Sequence, residues 1–154
     1  MIGYYASPIG TLLIREKDGV VLRIVRISED VPQTEENDTL RGIKKELDRF
    51  FAGKSKAFQF AIAPEGTDFQ KKIWAELQKI PYGQTASYKE IAERACGSAR
   101  YARAAASAAH RNPILLAIPC HRMIAADGSL GGFAAGNDAK EYLLGLERKT
   151  ENRK

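Results

Sequence analysis

A change in hydrophobic periodicity at Pro64-Glu65-Gly66 constrains the fold of this chain more than any other feature of its sequence. Before this point, two apolar runs and the alternating segment 57–63 indicate β-strands, and only residues 39–52 have helical spacing. After it, apolar residues recur at the three- and four-residue spacing of α-helices. Proline and glycine interrupt both patterns. We therefore predict an α+β protein with two domains, residues 1–64 and 67–150, followed by a short tail over residues 151–154.

The first half is predicted to be a small α/β domain. Two apolar runs, Thr11–Ile14 and Val20–Val25, flank Asp18-Gly19, a sequence typical of a tight hairpin turn. Residues 57–63 alternate again and predict a further strand. The segment 39–52, which precedes Gly53, has apolar residues at helical spacing, namely Leu40, Ile43, Leu47 and Phe50. We expect a small antiparallel sheet with one helix.

The second half is predicted to be mostly helical. Thr67 or Asp68 can cap a first helix, which ends near Pro81. Two shorter helices follow at about 87–94 and 99–110, separated by a four-residue connection. This spacing is typical of a helix-turn-helix, although the spacing by itself is only a weak indication of DNA binding.

Composition and charge narrow the possible functions. No stretch approaches the roughly 18 consecutive apolar residues that a membrane span requires, and no secretory signal is visible, so we expect a cytoplasmic protein. Residues 1–66 carry ten basic and ten acidic residues, whereas residues 67–154 carry fourteen and nine and supply the whole net charge of +5. This asymmetry fits either a half that binds a polyanion or a solvated basic surface without a partner.

The helix predicted over residues 99–110 has two neighbouring stripes of different character. The first holds Ala99, Ala102, Ala106 and Ala109, and the second holds Arg100, Arg103, Ser107 and His110. Small side chains let a helix approach a surface closely, and basic side chains suit a phosphate backbone. The alternative is an ordinary alanine-rich helix with solvated arginines.

Cys120 is the candidate nucleophile. It follows the apolar segment 114–118 and stands between Pro119 and His121-Arg122. A neighbouring imidazole or guanidinium lowers the pKa of a thiol and so favours the nucleophilic thiolate. Adjacent side chains of an extended chain point in opposite directions, so contact between Cys120 and His121 requires a bridging water or a tight turn. The alternative is a buried structural cysteine.

Two other features of the second half could belong to a site. Glu147 follows Leu143 by one helical turn, near the buried edge of the last predicted helix. A carboxylate there either has a partner such as an imidazole, or reaches water or pairs with Lys140 or Arg148. Four glycines between residues 128 and 136 surround Phe133, which favours either a pocket-forming loop or a flexible surface loop.

Taken together, these segments resemble the O6-alkylguanine-DNA alkyltransferase family. The first half matches only in its layout of strands and helix. The similarity runs in order through the second half, in Phe69-Gln70-Lys71-Lys72-Ile73-Trp74, Ile80-Pro81-Tyr82-Gly83-Gln84-Thr85-Ala86-Ser87-Tyr88, Ala102-Arg103-Ala104, Asn112-Pro113, Ile118-Pro119-Cys120-His121-Arg122, Gly131-Gly132-Phe133 and Leu143-Leu144-Gly145-Leu146-Glu147.

The resemblance implies a single-turnover methyltransferase that repairs DNA by direct reversal, with neither a cofactor nor a metal. Cys120 is implied as the acceptor of the alkyl group from guanine O6, with His121 acting through a water as its base and Glu147 orienting the imidazole. Tyr88 is implied to donate a proton toward the departing guanine. Asn112 is implied to join the DNA-binding helix to the active-site segment.

The resemblance also implies how DNA is bound. Arg103 would enter the minor groove and fill the space left by a nucleotide that has flipped out of the duplex. The partner would be double-stranded DNA that carries O6-alkylguanine, bound by a monomer with little sequence preference, and the protein would be nucleoid-associated when bound. Further DNA contacts are expected from Arg100, Ala102, Ser107, Arg122 and Tyr88. The substrate pocket is expected to be lined by Leu115, Met123, Phe133, Ala134 and Trp74.

Some positions depart from the family pattern, and other function classes compete. Relatives usually have Val in place of Met123, Tyr in place of Phe133 and Gly-Gly in place of Ala135-Gly136, which predicts an altered substrate preference and retained activity. The alternatives are a non-catalytic lesion-recognition protein, a regulatory DNA-binding protein and a Cys-His hydrolase. The presence of Cys120 argues against a non-catalytic protein, and the short chain argues against a dedicated regulator. The basic helix argues against a hydrolase, which would have no use for it.

Overall fold

The computed structural model describes residues 1–32, 35–131, 133 and 135–151. The chain divides into two compact units, one formed by Met1–Glu65 with Pro113–Ala117 and the other by Gly66–Asn112 with Ile118–Lys154. The predicted α+β fold class is confirmed. No helix in the described part of the chain is long and apolar enough to cross a membrane.

The first unit contains a four-stranded sheet. Its strands lie in chain order and are β1 (Ile2–Ser7), β2 (Gly10–Lys17), β3 (Val20–Ile27) and β4 (Ala61–Ile62). The predicted hairpin is confirmed, because Asp18 and Gly19 connect β2 and β3 with positive φ angles of 53° and 83°. The strand expected over residues 57–63 shortens to two residues and runs parallel to β3, so the sheet is mixed and only its first three strands are antiparallel.

The helix of this unit, α1, spans Asp38–Phe51 and begins at Asn37, whose side chain accepts a hydrogen bond from the backbone of Leu40. It ends where Gly53 adopts a φ of 72°. The spacing of its apolar residues predicted the buried face, because the buried residues are Leu40, Ile43, Leu47 and Phe50.

The segment Pro113–Ala117 belongs to the first unit although it lies far along the sequence. The Ile24 N–H donates to Pro113 O over 2.9 Å, and the Leu115 N–H donates to Ile24 O over 2.9 Å. The segment therefore pairs with β3 in parallel orientation at Ile24. A division of the chain into two consecutive ranges does not describe it.

The second unit is mostly helical, as predicted. It also contains a parallel pair of short strands, β5 (Ala86–Ser87) and β6 (Met123–Ile124). Thr67 and Gln70 form the capping box that the sequence predicted, and Ser87 and Glu90 form a second one. The helices are α2 (Asp68–Leu77), α3 (Tyr88–Cys96), α4 (Ala102–His110) and α5 (Asn137–Glu151).

The predicted helix-turn-helix is formed by α3 and α4. Gly97 ends α3 with a φ of 77°, and a 3₁₀ turn over Ala99–Tyr101 leads into α4. The buried side of α4 coincides only partly with the predicted alanine stripe, and Ala99 lies in the 3₁₀ turn outside α4. The buried residues of α4 are Ala105, Ala108 and Ala109, while Ala99, Ala102 and Ala106 are half-buried.

Candidate active site

Cys120 begins a 3₁₀ turn, Cys120–Arg122, directly after Pro119. Three residues per turn send the three successive side chains in three directions. All three residues are buried, with exposed fractions of 4% for Cys120, 0% for His121 and 7% for Arg122. The turn is therefore not the extended chain in which neighbouring side chains must oppose each other.

Asn112 holds the sulfur of Cys120 from the end of α4. Its Nδ2 donates to Cys120 Sγ over 3.1 Å and to Ile118 O over 2.7 Å. Asn112 is itself buried, with an exposed fraction of 4%. A buried amide donor stabilises negative charge on the sulfur more than it stabilises the neutral thiol.

Lys140, on α5, is a site residue that the sequence analysis did not select. It is fully buried, its Nζ donates to Met123 O over 2.5 Å and to Leu130 O, and it lies 5.9 Å from the centre of the Tyr88 ring. Its positive charge favours the thiolate of Cys120, and burial lowers the pKa of Lys140 to about 8. The burial of Lys140 could have been predicted, because Lys140 lies three residues before Leu143 on the apolar side of the helix.

The thiol of Cys120 is protonated at rest. Burial raises its pKa to about 11, although the hydrogen bond from Asn112 and the charge of Lys140 both lower it. The expectation that a neighbouring His or Arg lowers this pKa is therefore wrong. Neither neighbour lowers the pKa of Cys120, because His121 is buried and neutral and Arg122 is hydrogen-bonded to Glu147 and Ile80. Formation of the thiolate consequently requires a base.

His121 has the geometry of such a base. Its Nε2 lies 2.5 Å from Glu147 Oε2. Burial lowers the pKa of His121. The positive charges of Arg122 and Lys140 lower it further, whereas Glu147 raises it but does not outweigh these effects. Burial also raises the pKa of Glu147, but hydrogen bonds and charge from His121 and Arg122 outweigh this effect and hold it at about 2. An ionised carboxylate can only accept, so Nε2 carries the proton and Nδ1 keeps a free lone pair. Nδ1 is buried without a hydrogen-bond partner in the described part of the chain.

Arg122 does not lie on the surface, so the expectation that it contacts DNA is wrong. Its Nε and Nη2 donate to the two carboxylate oxygens of Glu147 over 2.8 and 3.0 Å, and its Nη1 donates to Ile80 O over 2.9 Å. A buried guanidinium requires such partners, and a surface phosphate cannot replace them without exposing the ion pair. Among the described contacts, Glu147 is therefore paired with His121 and Arg122, and Lys140 is bonded elsewhere.

A cavity of about 250 Å³ opens beside Cys120. Phe133 lies on its wall and also contacts the His121 ring edge-on, with ring centres 6.4 Å apart. Tyr88 is held close to the glycine-rich loop, since a Cβ added at Gly131 would lie 1.9 Å from Tyr88 Oη. The lining residues are Tyr88, Ala106, Ser107, Ala109, His110, Cys120 and Phe133.

The cavity agrees only in part with the predicted pocket. Phe133 lines it, whereas Met123 and Trp74 lie in the hydrophobic core of the unit, where the Trp74 indole donates to Ala108 O over 2.9 Å. Leu115 is part of the first unit and is bonded to β3. Ala134 lies outside the described residues. Ala106, Ala109 and His110 were not predicted to line it, although their spacing on α4 places them on one side of the helix.

The predicted DNA-contacting residues of α4 are partly exposed. Arg103 and Ser107 lie on the exposed side, Ala102 is half-buried, and Arg100 is exposed and donates to Tyr101 Oη over 2.7 Å. Ser107 joins this exposed side to the cavity, because it also lines the cavity beside Cys120.

Family models match almost the whole chain. Residues 1–64 match the ribonuclease-like domain of 6-O-methylguanine DNA methyltransferase, and residues 68–149 match its DNA-binding domain.

Similar proteins and structures agree with this match. The methylated-DNA–protein-cysteine methyltransferase of Methanosarcina acetivorans is 43% identical over 94% of this chain and 97% of its own length. The constitutive enzyme of Bacillus subtilis is 36% identical over 96% of each chain. The crystal structure of Mycobacterium tuberculosis OGT in complex with DNA has a TM-score of 0.88 at 35% identity, covering 97% of this chain and 93% of that one. The chain therefore belongs to the 6-O-methylguanine DNA methyltransferase family.

Proposed function

We propose that this protein repairs DNA by direct reversal, moving an alkyl group from O6 of guanine to the sulfur of Cys120 in a single, irreversible turnover. The observation that carries the proposal is the setting of Cys120. It is a free thiol that lines a cavity, it is bonded to Asn112, and it precedes the His121–Glu147 pair. Family membership supplies the reaction class, and the geometry supports the choice of residues.

In the proposed mechanism, Nδ1 of His121 accepts the proton of the Cys120 thiol through a bridging water, and Glu147 stabilises the resulting imidazolium. The thiolate attacks the alkyl carbon, the new S–C bond forms, and the bond from that carbon to O6 breaks. The electron pair of the broken bond passes to guanine. Tyr88, whose side chain lines the cavity, donates a proton to the departing base. The product thioether has no route back to the thiol, so each molecule acts once.

DNA is proposed to bind along the exposed side of α4. Arg103 would enter the minor groove and occupy the space of the flipped nucleotide, with Arg100, Ala102 and Ser107 beside it. The bound form would be a monomer in the cytoplasm, associated with the nucleoid. We also propose that residues 1–64, together with Pro113–Ala117, and the rest of residues 67–150 act as two domains. Of the predicted tail, Glu151 belongs to α5 and residues 152–154 lie outside the described residues.

The first test is the intact mass of the protein after reaction with a duplex that carries one O6-methylguanine. We expect one added methyl group per molecule, located on Cys120 by peptide mapping. Cys120→Ala should gain none, whereas the matched control Cys96→Ala should gain one. Lesion binding without any mass change would contradict alkyl transfer and favour a recognition or regulatory protein.

The second test addresses the DNA-binding surface. Arg103→Ala should weaken binding to duplex DNA, and the affinity of the native protein should fall as salt rises because phosphate contacts release counterions. Arg148→Ala, an exposed substitution on α5, is the control and should leave the affinity unchanged. Equal affinities for the native protein and Arg103→Ala, together with no dependence on salt, would exclude this surface.

A further inference from the structure

We infer that Arg122 is a positioning residue for alkyl transfer, which holds Glu147 so that Nδ1 of His121 stays able to accept the proton of Cys120. This inference rests on the proposed function, in which Cys120 is the alkyl acceptor and His121 its base. Arg122 touches neither the sulfur nor the cavity wall in the described contacts, so it would act through Glu147.

The Glu147 carboxylate is fully occupied by donors. Oε1 accepts from Arg122 Nε over 2.8 Å and from the Gly83 N–H over 3.0 Å, while Oε2 accepts from Arg122 Nη2 over 3.0 Å and pairs with His121 Nε2 over 2.5 Å. A carboxylate offers about four acceptor positions, and all of them are used. Two parallel bonds from one guanidinium fix the plane of the carboxylate, and this plane sets the orientation of the imidazole.

Arg122 is itself held by the turn that precedes β5. Its Nη1 donates to Ile80 O over 2.9 Å, and its guanidinium carbon lies 5.5 Å from the centre of the Tyr82 ring. The turn also supplies the Gly83 N–H to Glu147. The arginine, the carboxylate and the turn therefore form one buried, mutually bonded unit behind the imidazole, on the side away from Nδ1.

The charge of Arg122 decides where the protons lie. In the described part of the chain, the charged groups that act on His121 are Glu147 and Lys140 from α5 and Arg122 from its own turn, in which Cys120 directly precedes it. Glu147 raises the pKa of His121, whereas Arg122 and Lys140 lower it. With Arg122 present, the negative charge of Glu147 is already balanced and the imidazole stays neutral.

Without Arg122, the buried His121–Glu147 pair would carry an unbalanced negative charge and would take up one proton. If the proton settles on the imidazole, Nδ1 is protonated. If it settles on Glu147, the carboxylic acid donates to Nε2 and the ring proton moves to Nδ1. In both arrangements Nδ1 has no lone pair to offer, so His121 cannot accept the proton of Cys120.

The kinetic test is the pH dependence of the single-turnover rate of alkyl transfer. In Arg122→Met, we expect the acid limb of the profile to move to higher pH by about one to three units, the usual effect of one nearby charge. The rate should recover at pH values above the displaced limb. Arg122→Lys keeps the positive charge but cannot form the two parallel hydrogen bonds to Glu147. The acid limb of its pH profile should therefore lie between those of Arg122→Met and the native protein. A purely structural role would lower the rate equally at every pH, and this result would overturn the inference.

The second readout needs no DNA. An NMR titration of the two imidazoles compares His121 with the exposed His110 as an internal reference. In the native protein, His121 should stay neutral with its proton on Nε2 throughout the titration. In Arg122→Met, protonation of the buried pair should appear at higher pH than in the native protein. Should that variant not fold, Arg122→Lys provides the same comparison with a smaller shift. Identical His121 titrations in folded variants would overturn the inference, whereas a native protein that transfers no alkyl group would overturn the proposed function instead.

Discussion

The side-chain amide of Asn112 lies 3.1 Å from the sulfur of Cys120 and donates a hydrogen bond to it. The same nitrogen bonds to Ile118 O, and the backbone N–H of Asn112 bonds to Ala109 O. One residue therefore connects the end of α4, the proposed DNA-binding helix, to the sulfur of Cys120, so a shift of α4 would change the hydrogen bonding of Cys120.

Replacement of Asn112 should slow alkyl transfer. A hydrogen bond to a charged group contributes about 1.5–3 kcal/mol, which corresponds to a reduction in rate of roughly ten- to hundredfold in Asn112→Ala. Single-turnover kinetics with an O6-methylguanine duplex measure the effect, and a thermal melt checks that the variant is folded. A folded variant with the native rate would exclude a role for this bond.

Lys140→Met should make Cys120 less reactive. The substitution keeps the length of the side chain and removes the positive charge that favours the thiolate. We expect the thiol of DNA-free protein to react with iodoacetamide only at higher pH than in the native protein. Lys149→Met, on the exposed side of α5, is the matched control. Coincident pH profiles for both variants would show that Lys140 does not act on the sulfur.

Gly131→Ala should disable the protein through Tyr88. The new Cβ would lie 1.9 Å from Tyr88 Oη, and the φ of 68° at Gly131 is unfavourable for any residue with a Cβ. A double-mutant cycle of transfer rates tests the coupling: in a Tyr88→Ala background, Gly131→Ala should cost less than in the native protein, because only the cost of the backbone conformation remains. Fully additive losses would mean that Gly131 acts independently of Tyr88.

Ala109→Leu should discriminate between alkyl groups by size. Ala109 lines the cavity beside Cys120, and a longer side chain there reduces the space for the adduct. With free bases as substrates, the rate for O6-benzylguanine should fall more than the rate for O6-methylguanine. Ala104→Leu, on the exposed side of the same helix, should change neither rate. An equal loss for both substrates would place the adduct elsewhere.

Glu147 should contribute to stability in a defined pH range. Its pKa is about 2 in the folded protein against an ordinary value of 4.5, so the contribution is fully present above about pH 4.5 and is lost as pH falls toward 2. In urea unfolding at pH 7, the free energy of unfolding of Glu147→Gln should be lower than that of the native protein by on the order of 3 kcal/mol. This difference should become smaller in acid. The exposed control Glu141→Gln should follow the native protein. A difference in unfolding free energy that stays constant with pH would contradict the ionised state of Glu147.

Elements with a local cause could be predicted from the amino-acid pattern. The hairpin at Asp18-Gly19, the capping box at Thr67 and the buried face of α1 depend on turn chemistry, on a three-residue spacing and on helical periodicity. Each of these operates between residues that are close along the chain, so the pattern carries the information. The ordered motifs around Cys120 likewise identified the family.

Which side chains come into contact depends on how distant segments pack together. Arg122 was expected on the DNA surface, and it is buried because a 3₁₀ turn directs it to a carboxylate 25 residues further along the chain. The burial of Lys140 and the pairing of Pro113–Ala117 with β3 are decided in the same way. The direction of a side chain at a turn, and the desolvation that sets the pKa of Cys120, depend on distant segments that pack around it. No local pattern in the sequence records those segments.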